Sequence, residues 1–187
     1  MIYNPLDTQE IDIIVAGCIQ GDSKHRKAFY MLFAPHMLSV SHRYARNRED
    51  AEDIFQESVL KTFNNIHQLK DLDKIKWWTK RIVINEAIQF YNKNRKLVFT
   101  ENYELLQQCE DFQNDIYKNL ELEEVLEAIR ALPDKMRLVI NLYAIEGYSH
   151  DKIAGMLNIS VGTSKSNLFD ARKRIKGLLS NVRREII

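Results

Sequence analysis

Residues 148–178 read YSHDKIAGMLNISVGTSKSNLFDARKRIKGL, and the apolar spacing in this stretch decides the fold. Ser149 is a natural N-cap, and Ile153, Ala154, Met156 and Leu157 then recur at helical intervals. Asn158 suits a left-handed turn, and Ser160 can cap a second helix that starts at Val161. Two helices on either side of a turn this short form a helix-turn-helix. On a 100° wheel the second helix gathers Leu168, Ala171, Ile175 and Leu178 on one side, so Gly162, Ser166, Phe169, Asp170 and Lys173 face outward.

The same periodicity runs through the rest of the chain. Ile11, Ile14, Val15, Cys18 and Ile19 predict a helix between Asp7 and Gln20, closed by Gly21-Asp22-Ser23, which also caps the next one. Ala28, Phe29, Leu32, Phe33, Met37, Val40 and Tyr44 carry a longer helix to about Arg46-Asn47. Asp50 is the expected cap of a third, with Ala51, Ile54, Phe55, Ser58, Val59, Thr62, Phe63 and Ile66 inward and Asp50, Asp53, Glu57 and Lys61 on another face. A fourth runs from about Ile75 to Arg95, with Trp78, Ile82 and Asn85 on one side and Ile84, Ile88 and Tyr91 adjacent, and Trp78 at helical spacing from Ile82 reads as core. Leu122, Val125, Leu126 and Ile129 begin a fifth, and Leu132-Pro133-Asp134 breaks it and starts another that ends at Gly147. Only six Gly and three Pro occur among 187 residues, so long helices are cheap and hairpin turns scarce. The fold class is all-α.

Between Leu97 and Asn119 the periodicity fades, and five acids (Glu101, Glu104, Glu110, Asp111, Asp115) face one base, Lys118. This segment reads as a flexible acidic linker. The expected organisation is a helical domain at 1–96, the linker at 97–119 and the helix-turn-helix domain at 120–187.

A net charge of +1 conceals an uneven distribution. From Ser149 to Ile187 there are eight bases (Lys152, Lys165, Arg172, Lys173, Arg174, Lys176, Arg183, Arg184) and three acids (Asp151, Asp170, Glu185). A helix-turn-helix sets its second helix in a DNA major groove, with small or polar residues near base edges and cations along the phosphates. The plainer alternative is a hairpin whose basic face is merely solvated, and the outward Phe169 counts against it. Elsewhere, Trp77-Trp78 with Lys80, Arg81, Asn85, Gln89, Lys93 and Arg95 mixes aromatics and cations as single-strand platforms do. The acidic turn Asp50 to Glu57 could simply complement a helix dipole.

Enzyme chemistry finds no support. His25, His36, His42, His67 and His150 adjoin no nucleophile motif, P-loop or H-E-x-x-H, and Cys18 and Cys109 have no metal-ligand spacing. No catalytic residue, metal or cofactor is expected. Both cysteines read as reduced and buried. No long apolar run or leader pattern appears, so the expectation is a cytoplasmic chain with no membrane insertion.

Four segments, in order, carry a family resemblance: Asp50-Ala51-Glu52-Asp53-Ile54-Phe55-Gln56-Glu57, Trp78-Thr79-Lys80-Arg81-Ile82-Val83-Ile84-Asn85, Leu132-Pro133, and Ile159-Ser160-Val161-Gly162-Thr163-Ser164-Lys165-Ser166. Together they resemble the extracytoplasmic-function (ECF) subgroup of sigma-70 family factors, from about Gly17 to Leu179. The resemblance implies a transcription initiation factor that binds core RNA polymerase and promoter DNA. It implies a promoter-melting domain, a minus-thirty-five-binding domain, and a linker threading toward the polymerase active-site channel. Asp50, Glu52, Asp53, Gln56 and Glu57 would then dock on core polymerase. Lys80, Arg81, Asn85, Gln89 and Lys93 would read the melted minus-ten element, together with the loop Leu69 to Lys74. Thr163, Lys165, Ser166, Asn167, Phe169, Arg172 and Lys173 would meet the minus-thirty-five duplex. An anti-sigma protein is a further expected partner. The chain departs from the family pattern at Thr79, Ile84, Ser164, Asn167 and Asp170.

A helix-turn-helix repressor or activator acting without polymerase would explain the C-terminal third equally well. It leaves the Asp50 and Trp78 segments without a role. A helical scaffold with no nucleic-acid role is a third class.

Overall fold

A computed structural model describes residues 8–97 and 120–185, and every regular element among them is helical. The elements are α1 (Thr8–Ile19), α2 (Ser23–Tyr44), α3 (Arg48–Asn65), α4 (Ile75–Leu97), α5 (Leu120–Arg130), α6 (Asp134–Ile140), α7 (His150–Leu157) and α8 (Val161–Glu185). Short 3₁₀ turns at Ile66–Gln68 and Leu72–Lys74 join α3 to α4, and a π-helical turn, Asn141–Ile145, extends α6. The expected linker lies outside the described residues apart from Leu97, as does Cys109. The described residues divide into two compact units, 8–41 with 51–87, and 42–50 with 88–97 and 120–185.

In the first unit the helix boundaries follow from capping chemistry. Gly21, at φ +83°, ends α1, with its N–H bonded to Cys18 O at 3.1 Å. Asp22 then accepts from Lys24 N and His25 N at the start of α2. The cap of α3 is one helical turn's start earlier than the sequence suggested. Asn47 Oδ1 accepts from Asp50 N at 2.7 Å, so Asn47 is the cap and Asp50 lies inside the first turn. Asp50 there still complements the dipole.

Aromatic contacts hold α2 to α3. Phe29 meets Phe63 edge-on at 5.6 Å, and Tyr30 meets Phe55 at 6.1 Å. Phe29, Met37, Ile66 and Ile84 are buried to within 2% of full burial, worth about 1.5–3 kcal/mol each by transfer. Ser58 and Thr62 on the buried side of α3 satisfy their hydroxyls on Ile54 O (2.6 Å) and Ser58 O (2.8 Å), so the polar groups carry no desolvation debt. Cys18 is buried as expected, and burial pushes its thiol pKa up.

In the second unit α8 packs against α5, α6 and α7. The chain between α6 and α7 differs from the expected continuous helix. Beyond Ile140 the hydrogen bonds lengthen to Glu146 N→Asn141 O and Tyr148 N→Leu142 O, both 3.0 Å, before Gly147 at φ +74° releases the chain. Leu138, Val139, Leu142, Ile153 and Leu168 form the centre of the core. Arg137 is buried with them, and its guanidinium donates to Leu132 O at 2.8 Å and to Asp134 Oδ1 at 2.5 Å.

Candidate nucleic-acid interface

The turn between α7 and α8 is built by the residues that the sequence marked for it. Ser149 Oγ accepts from Lys152 N at 3.3 Å, Asn158 takes φ 52° and ψ 52°, and Ser160 Oγ accepts from Thr163 N at 2.9 Å. Asparagine is the non-glycine residue that adopts this left-handed geometry most readily. Leu168 and Ala171 are buried, Ile175 is half-buried, and Leu178 departs from the expected inward stripe at 39% exposed. The core therefore grips only the first three turns of α8.

The opposite face is open. Lys165, Ser166, Arg172 and Lys173 are exposed, and Phe169 is 70% exposed. Thr163 and Asn167 are half-buried. Their hydroxyl and amide groups are held locally: Thr163 Oγ1 shares a 2.8 Å hydrogen bond with Ser160 Oγ, and Asn167 Nδ2 donates to Thr163 O at 2.8 Å. Arg172 lies over the Tyr143 ring at 5.7 Å, and Tyr143 stacks on His150 at 4.6 Å. Ser164, a departure from the family pattern, is fully buried, and its hydroxyl pairs with His150 Nδ1 at 2.9 Å. A buried polar group is thus satisfied across the α7–α8 corner, where an apolar residue would simply pack. Asp170 lies beside Lys173 and Arg174 around an open cleft also lined by Met136, and lowers the positive field of that part of the face.

On α4, Trp77, Arg81, Asn85, Gln89 and Lys93 follow each other at intervals of four and are all exposed. They wind along the helix over about 24 Å at 1.5 Å per residue. Arg81 sits 5.2 Å above the Trp77 ring. Lys80 is half-buried beside this row. Sequence reasoning gave Trp78 to the core and left Trp77 out of the site. Trp78 is half-buried and Trp77 is 49% exposed, and the four-residue step from Trp77 to Arg81 and Asn85 was the available signal. Thr79, the other departure in this helix, is fully buried and bonds Ile75 O at 3.0 Å. Before α4, Asp71 accepts from Asp73 N and from Lys74 Nζ at 2.5 Å. The Lys74 ammonium chiefly holds the Asp71 carboxyl below its ordinary pKa.

On α3, Asp53, Gln56 and Glu57 are exposed, whereas Asp50 and Glu52 are half-buried. The outward acidic row is therefore centred on Asp53 and Glu57, four residues apart. No group of three or more His, Cys, Asp or Glu that could hold a metal occurs among the described residues. No helix among them is long and apolar enough to cross a membrane.

These faces fall within two regions that match known families. Residues 29–97 match the model described as Sigma-70 region 2, and residues 122–175 match Sigma-70, region 4. The chain is 31% identical over 137 residues to the ECF RNA polymerase sigma factor SigM of Bacillus subtilis, covering 71% of this chain and 82% of that protein. It is 27% identical over 168 residues to the RNA polymerase sigma factor SigV of the same organism, covering 90% and 92%. In fold it is similar to the sigma factor RpoE solved in complex with the anti-sigma factor NepR from Bartonella quintana. That match has a TM-score of 0.51 at 24% identity, and covers 82% of this chain and 96% of that one.

Proposed function

The chain belongs to the ECF subgroup of the sigma-70 family, and from that premise we propose how its residues divide the work of promoter recognition. A member of this family directs RNA polymerase to promoters, so the phosphodiester chemistry belongs to the polymerase. In our reading Asp53, Gln56 and Glu57 on α3, flanked by Asp50 and Glu52, dock on core polymerase. Exposed carboxylates steer association and set its orientation more than they add raw affinity.

The exposed row on α4 reads the opened minus-ten strand. Its length of about 24 Å is enough for several nucleotides of an opened strand. Trp77 offers a ring for stacking, Arg81 and Lys93 offer charge to phosphates, and Asn85 and Gln89 offer donors and acceptors to base edges. The face of α8 reads the minus-thirty-five element as duplex. Ser166 and Asn167 approach base edges, Phe169 makes apolar contact, and Lys165, Arg172 and Lys173 bind phosphates, with Thr163 completing the N-terminal end.

The observation that carries this reading is that one chain presents two separate exposed faces rich in polar, basic and aromatic residues, the row on α4 and the outer face of α8. An operator-binding repressor requires only the second. The relative RpoE was solved with an anti-sigma factor, and by analogy we assign an anti-sigma protein to this chain as a regulatory partner.

The experiment is in vitro transcription with core polymerase over a library of genomic fragments, with the chain added or withheld. The expected result is a set of start sites that depends on the chain. Tight binding of the isolated chain to a palindromic duplex, with no start site selected, overturns the reading in favour of a repressor.

A further inference from the structure

Glu86 is a carboxylate with 7% of its surface exposed, and it follows Asn85 directly in α4. Its Oε1 accepts from Lys61 Nζ of α3 at 2.5 Å. A buried carboxylate is costly unless paired, and here the partner comes from the helix that carries Asp53, Gln56 and Glu57. Lys61 stands one helical turn beyond Glu57, on the same side of α3. The Lys61–Glu86 ion pair therefore links the end of the α3 row to the middle of the α4 row.

We propose that Lys61 and Glu86 are positioning residues that couple docking on polymerase to strand opening, an inference that rests on the function assigned above. Consecutive residues of a helix are about 100° apart around its axis. Fixing Glu86 against α3 therefore fixes the direction in which Asn85 points. Without the pair, the buried Val83, Ile84 and Ala87 still hold α4 in place, but the polar anchor beside Asn85 is gone and the fine aim of that residue is lost, while neither face loses a residue of its own. Preorganisation of this kind governs the step in which bases are captured, because a captured base must meet its partners at the moment it leaves the stack.

Three variants of the full chain test this on a promoter fragment chosen by the transcription screen: Glu86→Gln, Lys61→Met, and the exchange Lys61→Glu with Glu86→Lys. Each is assembled with core polymerase and assayed on intact duplex and on the same fragment with a pre-melted bubble. The single variants are expected to bind core within about twofold of the parent and to open duplex about tenfold less often, as for interacting pairs in general. The bubble should return them to within about threefold, and the exchange should recover most of the duplex opening. Circular dichroism melting of each free variant accompanies these assays. Opening equal to the parent by folded single variants overturns the proposal. Equal losses of core binding, duplex opening and bubble activity, together with a lowered melting temperature, also overturn it and leave the pair a stability element. If the parent chain itself selects no promoter, the underlying assignment has failed rather than the coupling.

Discussion

Asn167 Nδ2 donates a 2.8 Å hydrogen bond to Thr163 O, and Ser166 Oγ donates to the same carbonyl at 3.1 Å. Both proposed base readers of α8 are thus folded back on their own helix when no DNA is present. Ser166 must give up that bond to donate to a base, whereas Asn167 can still present Oδ1 and its second N–H, and where a bond is exchanged the net gain is the difference between two hydrogen bonds, about 0.5–1.5 kcal/mol at the usual scale.

That exchange predicts how substitutions in α8 will fail. Ser166→Ala and Asn167→Ala should change preference at one or two positions of the upstream element. Lys173→Ala should weaken binding to every sequence alike and reduce the salt slope by about one unit. Holoenzyme binding to a panel of single-base variants at several salt concentrations measures both. A uniform loss for Asn167→Ala sinks its role as a base reader.

The proposed docking face is built of charge that contributes little to the fold. Asp53→Lys with Glu57→Lys should weaken association with core polymerase while changing the stability of the free chain by no more than about 0.5 kcal/mol. Pull-down with core and urea unfolding of the free double variant give the two numbers. Unchanged association in a folded variant returns the row to a dipole complement.

Asn85 is exposed, so truncating it leaves no buried group unpaired. Asn85→Ala should therefore keep the stability of the parent to within about 0.5 kcal/mol. It should preserve closed-complex binding and impair opening, since its partner base becomes accessible only after unpairing. Footprinting below and above the opening temperature separates the two steps, and equal loss in both states removes Asn85 from the minus-ten reader.

The α1–α2 corner has room for hydrogen only. A Cβ on Gly17 would lie 2.2 Å from His25 Cγ, and His25 is engaged through Nδ1 with the Asp22 carboxylate. Gly17→Ala should destabilise the chain by about 1–3 kcal/mol, as overpacking does. Adding His25→Ala should return part of the loss. Thermal melts of the two variants decide it, and a Gly17→Ala chain as stable as the parent shows the corner to be loose.

Acid should weaken the turn ahead of α4. The Asp71 pKa is lowered, first by the hydrogen bond from Lys74, so its contribution is present above the ordinary carboxylate value and is lost as pH falls through the lowered one. The Lys74 pKa is raised by the same bond. Its contribution is present below the ordinary ammonium value and lost as pH rises through the raised one. Asp71→Asn should therefore lower stability at neutral pH and flatten both the acid and the far alkaline limbs. Urea midpoints from pH 3 upward check this, and parallel acid limbs for parent and variant overturn it.

Much of this molecule is legible in its sequence, for local reasons. Ser149, Asn158 and Ser160 determine the helix-turn-helix because caps and left-handed turns are settled within three or four residues. Asp22 and Gly21 likewise settle the α1–α2 corner. The order of the Asp50, Trp78, Leu132-Pro133 and Ile159 segments sufficed to identify the family, as the matches at 29–97 and 122–175 attest.

What the sequence left open depends on neighbours distant along the chain. Periodicity set Trp78, Ile82 and Asn85 on one side of α4 and left Trp77 unassigned, whereas packing leaves Trp78 half inside and puts Asn85 and Trp77 outside, because neighbouring positions on the wheel are separated only by the contacts they find. Asn47 and Asp50 are both good caps, and the choice between them was made where α2 ends at Tyr44. Ser164 looked like a defect in an apolar stripe until His150, fourteen residues away, was found to satisfy it. Nothing in the sequence singles out Glu86. Only the fold brings Lys61 to it from twenty-five residues away, because a carboxylate can be buried where a cation arrives to meet it and nowhere else.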